Sequence, residues 1–153
     1  MLLNIRGMEI QVKEDQVANI VLQHFTGNAL TNGHEFVPRG IKEGEQYAGI
    51  ILGKNGEQNY HLILLSGEIE DANWQKSTDW AKSIGGELPT RREQALLYAN
   101  LKEQFKDKWY WSCEQHAADP DFAWMQFFGY GNQLDFPKSN DYRARAVRRL
   151  IIQ

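Results

Sequence analysis

Cys113 and His116 stand at C-x-x-H spacing, where metal or nucleophilic chemistry would first be sought. A zinc site needs about four ligands, and no second matching pair exists, since His24, His34 and His61 are scattered. A nucleophilic Cys113 would need a neighbouring base and a depressed pKa. The simpler reading is a small, inert strand residue. Asp119, Asp121 and Asp135 offer carboxylates, but calcium takes about six to eight clustered oxygens, so Asp119-Pro120-Asp121 reads as a turn. Arg143, Arg145, Arg148 and Arg149 make the C-terminal stretch basic. The acidic residues around it cancel most of that field, whereas phosphate binding needs a concentrated patch. Arg91, Arg92 and Glu93 read as a helix start. The phosphate-binding loop, the nucleophile elbow and the H-E-x-x-H pair are missing together, and no cofactor or metal is expected.

Recognition chemistry is better represented. Ten of the 18 aromatic residues fall between Trp109 and Tyr142, so this stretch is either a core or a contact surface. Trp109 and Trp111 lie two apart and share one strand face. With Phe127 and Phe128 they are assigned to the core, while Trp124, near a loop, could serve either role. Tyr110, Ser112 and Glu114 occupy the alternate face and are the expected outward set. Loop residues His116, Tyr130, Asn132, Gln133, Asp135, Asn140 and Tyr142 complete the candidate ligand-binding surface. Their composition, with interspersed glycine, suits adaptable recognition loops.

The elements that must position these residues follow from periodicity. Met8–Lys13 alternates as a short strand, and Val17, Ile20, Val21 and Phe25 recur at helical spacing. Residues 26–46 read as a loop with four glycines and Pro38. Tyr47–Leu52 and Tyr60–Leu65 predict a hairpin around Gly53-Lys54-Asn55-Gly56. A helix capped by Asp71 or Asn73 runs to Gly85-Gly86. A second starts at Thr90, with Glu93 completing a capping box, and carries the stripe Leu97, Leu101, Phe105. Short strands are then predicted at Trp109–Cys113, Ala123–Phe128 and Gln133–Phe136, with a last one over Tyr142–Ile152. Hairpin, two helices and several antiparallel strands give an α+β class. An N-terminal appendage (residues 1–46) precedes the main domain (47–153).

Bulk properties bound the function. The chain has 153 residues, a net charge of −3, 42% hydrophobic and 24% charged residues, which suits one folded domain. The mild charge disfavours nucleic acid and anionic membranes as partners. The single cysteine excludes an internal disulfide. Met1–Ile5 lacks the pattern of a signal peptide, and the apolar run Leu62–Leu65 is far short of a membrane span. Cytoplasmic synthesis is the expectation, and location in a virion is compatible with it.

Leu88-Pro89-Thr90 before a helix, Trp109-Tyr110-Trp111-Ser112, Ala123-Trp124, Phe128-Gly129-Tyr130-Gly131 and Arg145-Ala146-Val147-Arg148 occur in an order that resembles the prokaryotic and phage C-type-lectin-fold family. Its relatives include receptor-binding variable proteins diversified by retroelements. The resemblance covers about residues 47–150. It implies paired first and last strands, two flanking helices and a ligand surface formed by the stretch Trp109–Tyr142. The calcium signatures and disulfides of animal lectins are missing. The expectation is a phage- or prophage-encoded, non-catalytic module that binds a protein or glycan partner through residues 110–142, with residues 1–46 available for homo-oligomer formation. The alternative is an intracellular phage accessory protein that inhibits a host factor by occupying its surface. An enzyme resembling formylglycine-generating enzymes is disfavoured, because that chemistry relies on paired cysteines.

Overall fold

The computed structural model describes strands Leu2–Ile5 and Met8–Gln11 and residues 38–153. The helix expected over Val17–Phe25 and the loop over residues 26–37 lie outside the described residues. The chain divides into two compact units, 1–37 and 38–153. In the first, β1 (Leu2–Ile5) and β2 (Met8–Gln11) pair antiparallel, Leu2 opposite Gln11.

The second unit is α+β, with two helices and two sheets. The smaller sheet has the order β10-β4-β3, from β3 (Gln46–Ile51), β4 (Tyr60–Leu64) and β10 (Val147–Ile151). The expected hairpin is β3–β4, and its loop turns at Asn55 and Gly56, both at positive φ. The implied pairing of first and last strands is corrected: β10 pairs with β4, and β3 lies at the edge. Leu62, Ile63 and Leu64 are all buried. A strand apolar on both faces belongs in the middle of its sheet.

The larger sheet has the order β5-β9-β6-β7-β8: β5 (Ile69–Ala72), β6 (Trp109–Gln115), β7 (Phe122–Phe127), β8 (Gln133–Pro137) and β9 (Tyr142–Ala144). The single C-terminal strand expected over Tyr142–Ile152 is two strands in different sheets. Between them Arg145 donates to the Gln104 and Leu65 carbonyls and Ala146 accepts from the Leu65 N–H, bending the chain.

Helix α1 (Trp74–Ser83) is capped by Asn73, whose side chain accepts the Lys76 N–H. Helix α2 (Arg91–Leu101) starts at the predicted capping box, Thr90 with Glu93. It ends before Phe105, which nevertheless joins the core through stacking on Phe128 at 3.8 Å.

Two apolar clusters cover the larger sheet from its two faces. One contains Leu97 and Leu101 of α2, Tyr110 and Phe128. The other contains Ala81 of α1, Leu88, Trp111, Ala123 and Met125. Strand β6 is therefore a middle layer, and the expected outward presentation of Tyr110 and Ser112 is overturned. Both are fully buried, as is Trp111. The Tyr110 carbonyl accepts from Gln94 of α2, and the Ser112 carbonyl accepts from the Trp74 indole. Alternation along a strand separates inside from outside only when one face is bare, and here a helix packs on each.

Candidate functional site

One candidate residue of β6, Glu114, escapes that burial. Past the bulge that separates Trp111 from Gln115 in the β6–β7 register, its Oε2 accepts the Arg91 N–H at 2.5 Å. The carboxylate thereby satisfies an orphan donor at the start of α2 and faces the positive end of the helix. Thr90 and Glu93 satisfy further groups of the same turn.

Arg91 is the residue around which the site forms. Its guanidinium lies 3.6 Å from the centroid of the Trp124 ring, a stacked cation–π contact. Its Nε donates to Gln133 Oε1 at 3.0 Å. Gln133 Nε2 in turn donates to the Arg91 carbonyl and to Gln126 Oε1, both at 2.8 Å. Gln126 is buried and donates to the Gln94 carbonyl at 3.0 Å. The amide chain from α2 through β7 to β8 thus fixes the rotamers of Arg91 and Gln133. His116 packs on Trp124 with 5.7 Å between centroids.

An open groove of roughly 560 Å³ runs between α2 and the sheet, lined by Arg91, Arg92, Ala95, Glu114, Gln126, Gly131 and Gln133. Gly131 holds φ at +81°, and a Cβ there would meet the Tyr98 ring at 2.8 Å. Glycine is therefore required for the turn to lie this close to α2.

The structure brings Glu114, His116, Trp124 and Gln133 together around Arg91. Asp135 sits opposite Trp124 in the β7–β8 register and shares its face. Tyr130, 84% exposed, and Asn132 flank Gly131 at the groove's end. Asn140 and Tyr142 lie elsewhere. Asn140 is in an exposed turn closed onto the Pro137 carbonyl, and Tyr142 packs on Trp111 and Phe136. Sequence reasoning missed Arg91, Arg92 and Gln126. A signal was present: two arginines open α2, where the helix dipole disfavours positive charge, so something outside the helix must hold them.

Cys113 and His116 do not form a reactive pair. Although Cys113 keeps exposed surface, desolvation and then the Glu93 and Glu114 carboxylates push its thiol up to about 11. Nδ1 of His116 accepts the Ala118 and Asp119 N–H groups, which ties the ring to its own loop. Asp119 takes the Asp121 N–H, as the turn reading required. Among the described residues, no group of three or more His, Cys, Asp or Glu side chains is placed to hold a metal ion, and no helix is long and apolar enough to cross a membrane.

The C-terminal arginines are held differently from Arg91. Arg143 pairs with Glu68 and Glu70, Arg148 with Glu45, and Arg149 with Glu87 and Glu93. Arg145 binds backbone carbonyls. These four tie strands and loops together.

Compared with family models and with curated proteins, the chain matches none.

Proposed function

We propose that this protein is a C-type-lectin-like, phage- or prophage-borne binding module. It recognises a protein or glycan partner through the surface of residues 110–142, centred on the groove beside Arg91, and works without a cofactor. The observation that carries this reading is the Arg91–Trp124 stack, locked by Gln133 and open to solvent on one side. Arginine and tryptophan dominate binding energetics where they are rigid and partly desolvated, and a prefixed rotamer lowers the entropy lost on association. The protonated Cys113 thiol and the tethered His116 favour binding over covalent catalysis.

The test is a binding screen of the intact protein on glycan arrays and on cell-surface and lysate proteins. Trp124→Ala and Gln133→Ala are run in parallel, with folding checked by circular dichroism. Every genuine partner should weaken about tenfold or more with each variant. A partner bound equally well by both variants places recognition elsewhere.

A further inference from the structure

Arg91 and Arg92 differ from the other arginines of the C-terminal two-thirds of the chain. Among the described residues, Arg143, Arg148 and Arg149 each meet a glutamate within ion-pair distance, and Arg145 gives Nη1 and Nη2 to the Gln104 and Leu65 carbonyls. The Arg91 guanidinium has no carboxylate partner there. Its Nε is used by Gln133 and its face by Trp124, and no acceptor among the described residues meets Nη1 or Nη2. Arg92 gives one nitrogen to the Leu52 carbonyl. The nearby Glu114 carboxylate is bonded to the Arg91 backbone N–H, not to its guanidinium. The α2 N-terminus is therefore already occupied. What remains open is a planar fork, held flat against an indole, with its outer edge bordering a groove.

We infer that this fork is the receptor for a carboxylate on an acidic glycan, an inference that rests on the proposed binding role of the groove. A guanidinium fixed at Nε and on its face presents its remaining N–H groups in the geometry that matches a carboxylate bidentately. Arg92 supplies a second cation beside it, so the groove is locally positive on a chain of net charge −3. The surroundings select a sugar over an acidic peptide. The lining offers the Glu114 carboxylate and the second lone pair of Gln133 Oε1 to accept from hydroxyl groups, and the Arg92 nitrogens not bonded to Leu52 to donate to them. Ala95 is the one fully apolar side chain among its lining residues, and the arginine and glutamine stems supply further apolar surface. Half-buried Trp124 adds an aromatic edge beside the fork.

The experiment titrates the full chain with oligogalacturonate, with the same oligomers methyl-esterified, and with an oligoglutamate peptide, using calorimetry. The esters keep every hydroxyl and lose only the charge. The expected result is binding of the acid form about tenfold or more tighter than the ester, because charge-assisted hydrogen bonds are lost with it. Arg91→Gln should erase that preference, and Arg91→Lys should not restore it, since a lysine ammonium cannot form the planar fork. Equal binding of acid and ester, or a preference that survives Arg91→Gln in a folded protein, overturns the inference. Binding of the peptide and not the sugar overturns the choice of glycan. If the ester binds as well as the acid and Trp124→Ala weakens both, the groove stands as a binding site while its carboxylate specificity falls.

Discussion

At the scale of single residues, environment decides what each group can do. Cys113 carries a thiol pushed up to about 11, with desolvation the leading cause and the Glu93 and Glu114 carboxylates adding to it. Reaction of the native protein with iodoacetamide should therefore rise with pH to a midpoint near that value. A midpoint below the ordinary thiol value of 9.0 would contradict the environment described. Tyr60 is pushed up to about 12 by desolvation and by its hydrogen bond to Glu93, so its ring should remain un-ionised in an ultraviolet titration well past pH 10. Neither residue is poised for chemistry at neutral pH. Arg91 is different because its guanidinium is fixed from two directions, by Trp124 on its face and by Gln133 at Nε. Its importance was hidden in the sequence, where an arginine at a helix start looks like any solvated charge. Only the distant partners Trp124 and Gln133 show why it tolerates the helix dipole.

At the scale of elements, local rules were legible and tertiary ones were not. The capping box at Thr90 and the Asn55-Gly56 turn depend on neighbours in sequence, and both occur as expected. Tyr110 and Ser112 were assigned outward because strand alternation implies one bare face. Helices pack on both faces of β6, a fact encoded in contacts from Gln94 and Trp74 rather than in the strand itself. The break between β9 and β10 was equally invisible, since it depends on Arg145 reaching carbonyls of Gln104 and Leu65. Gly131 joins element to site. Replacement by alanine puts a Cβ 2.8 Å from Tyr98 at positive φ, which should cost about 1–3 kcal/mol in urea unfolding. It should also weaken partner binding, because the turn must withdraw from α2. Unchanged stability would mean that the turn adjusts freely and does not shape the groove.

At the scale of the whole second unit, one buried network joins the smaller sheet to α2. Glu93 is 0% exposed and accepts from Tyr60 of β4 and from Arg149 of β10. Burial opposes ionisation of Glu93, but the hydrogen bonds from Arg149 and Tyr60 outweigh it and hold the carboxyl below its ordinary value. A carboxyl depressed in the folded state binds protons more readily when unfolded, so its contribution is complete above the unfolded value of 4.5. That contribution is lost as the pH falls toward the folded value. Stability in urea should therefore be flat near neutrality and decline below about pH 4.5. Glu93→Gln should cost about 3 kcal/mol or more at pH 7, because Arg149 loses its buried partner, and should flatten the acid decline. A steep, unaltered decline in that variant would assign acid sensitivity to other carboxylates. The same network explains why the C-terminal strand belongs in the small sheet: Arg149 reaches Glu93 from β10 beside β4.

The most direct measurement is a nuclear magnetic resonance titration of isotope-labelled protein with the strongest-binding molecule from the glycan and protein screen. The Trp124 indole, the Arg91 Nε–H and the Gln126 and Gln133 side-chain amides should shift first and furthest. Shifts concentrated instead around Trp109 and Tyr142, with those signals unmoved, would contradict recognition through the groove.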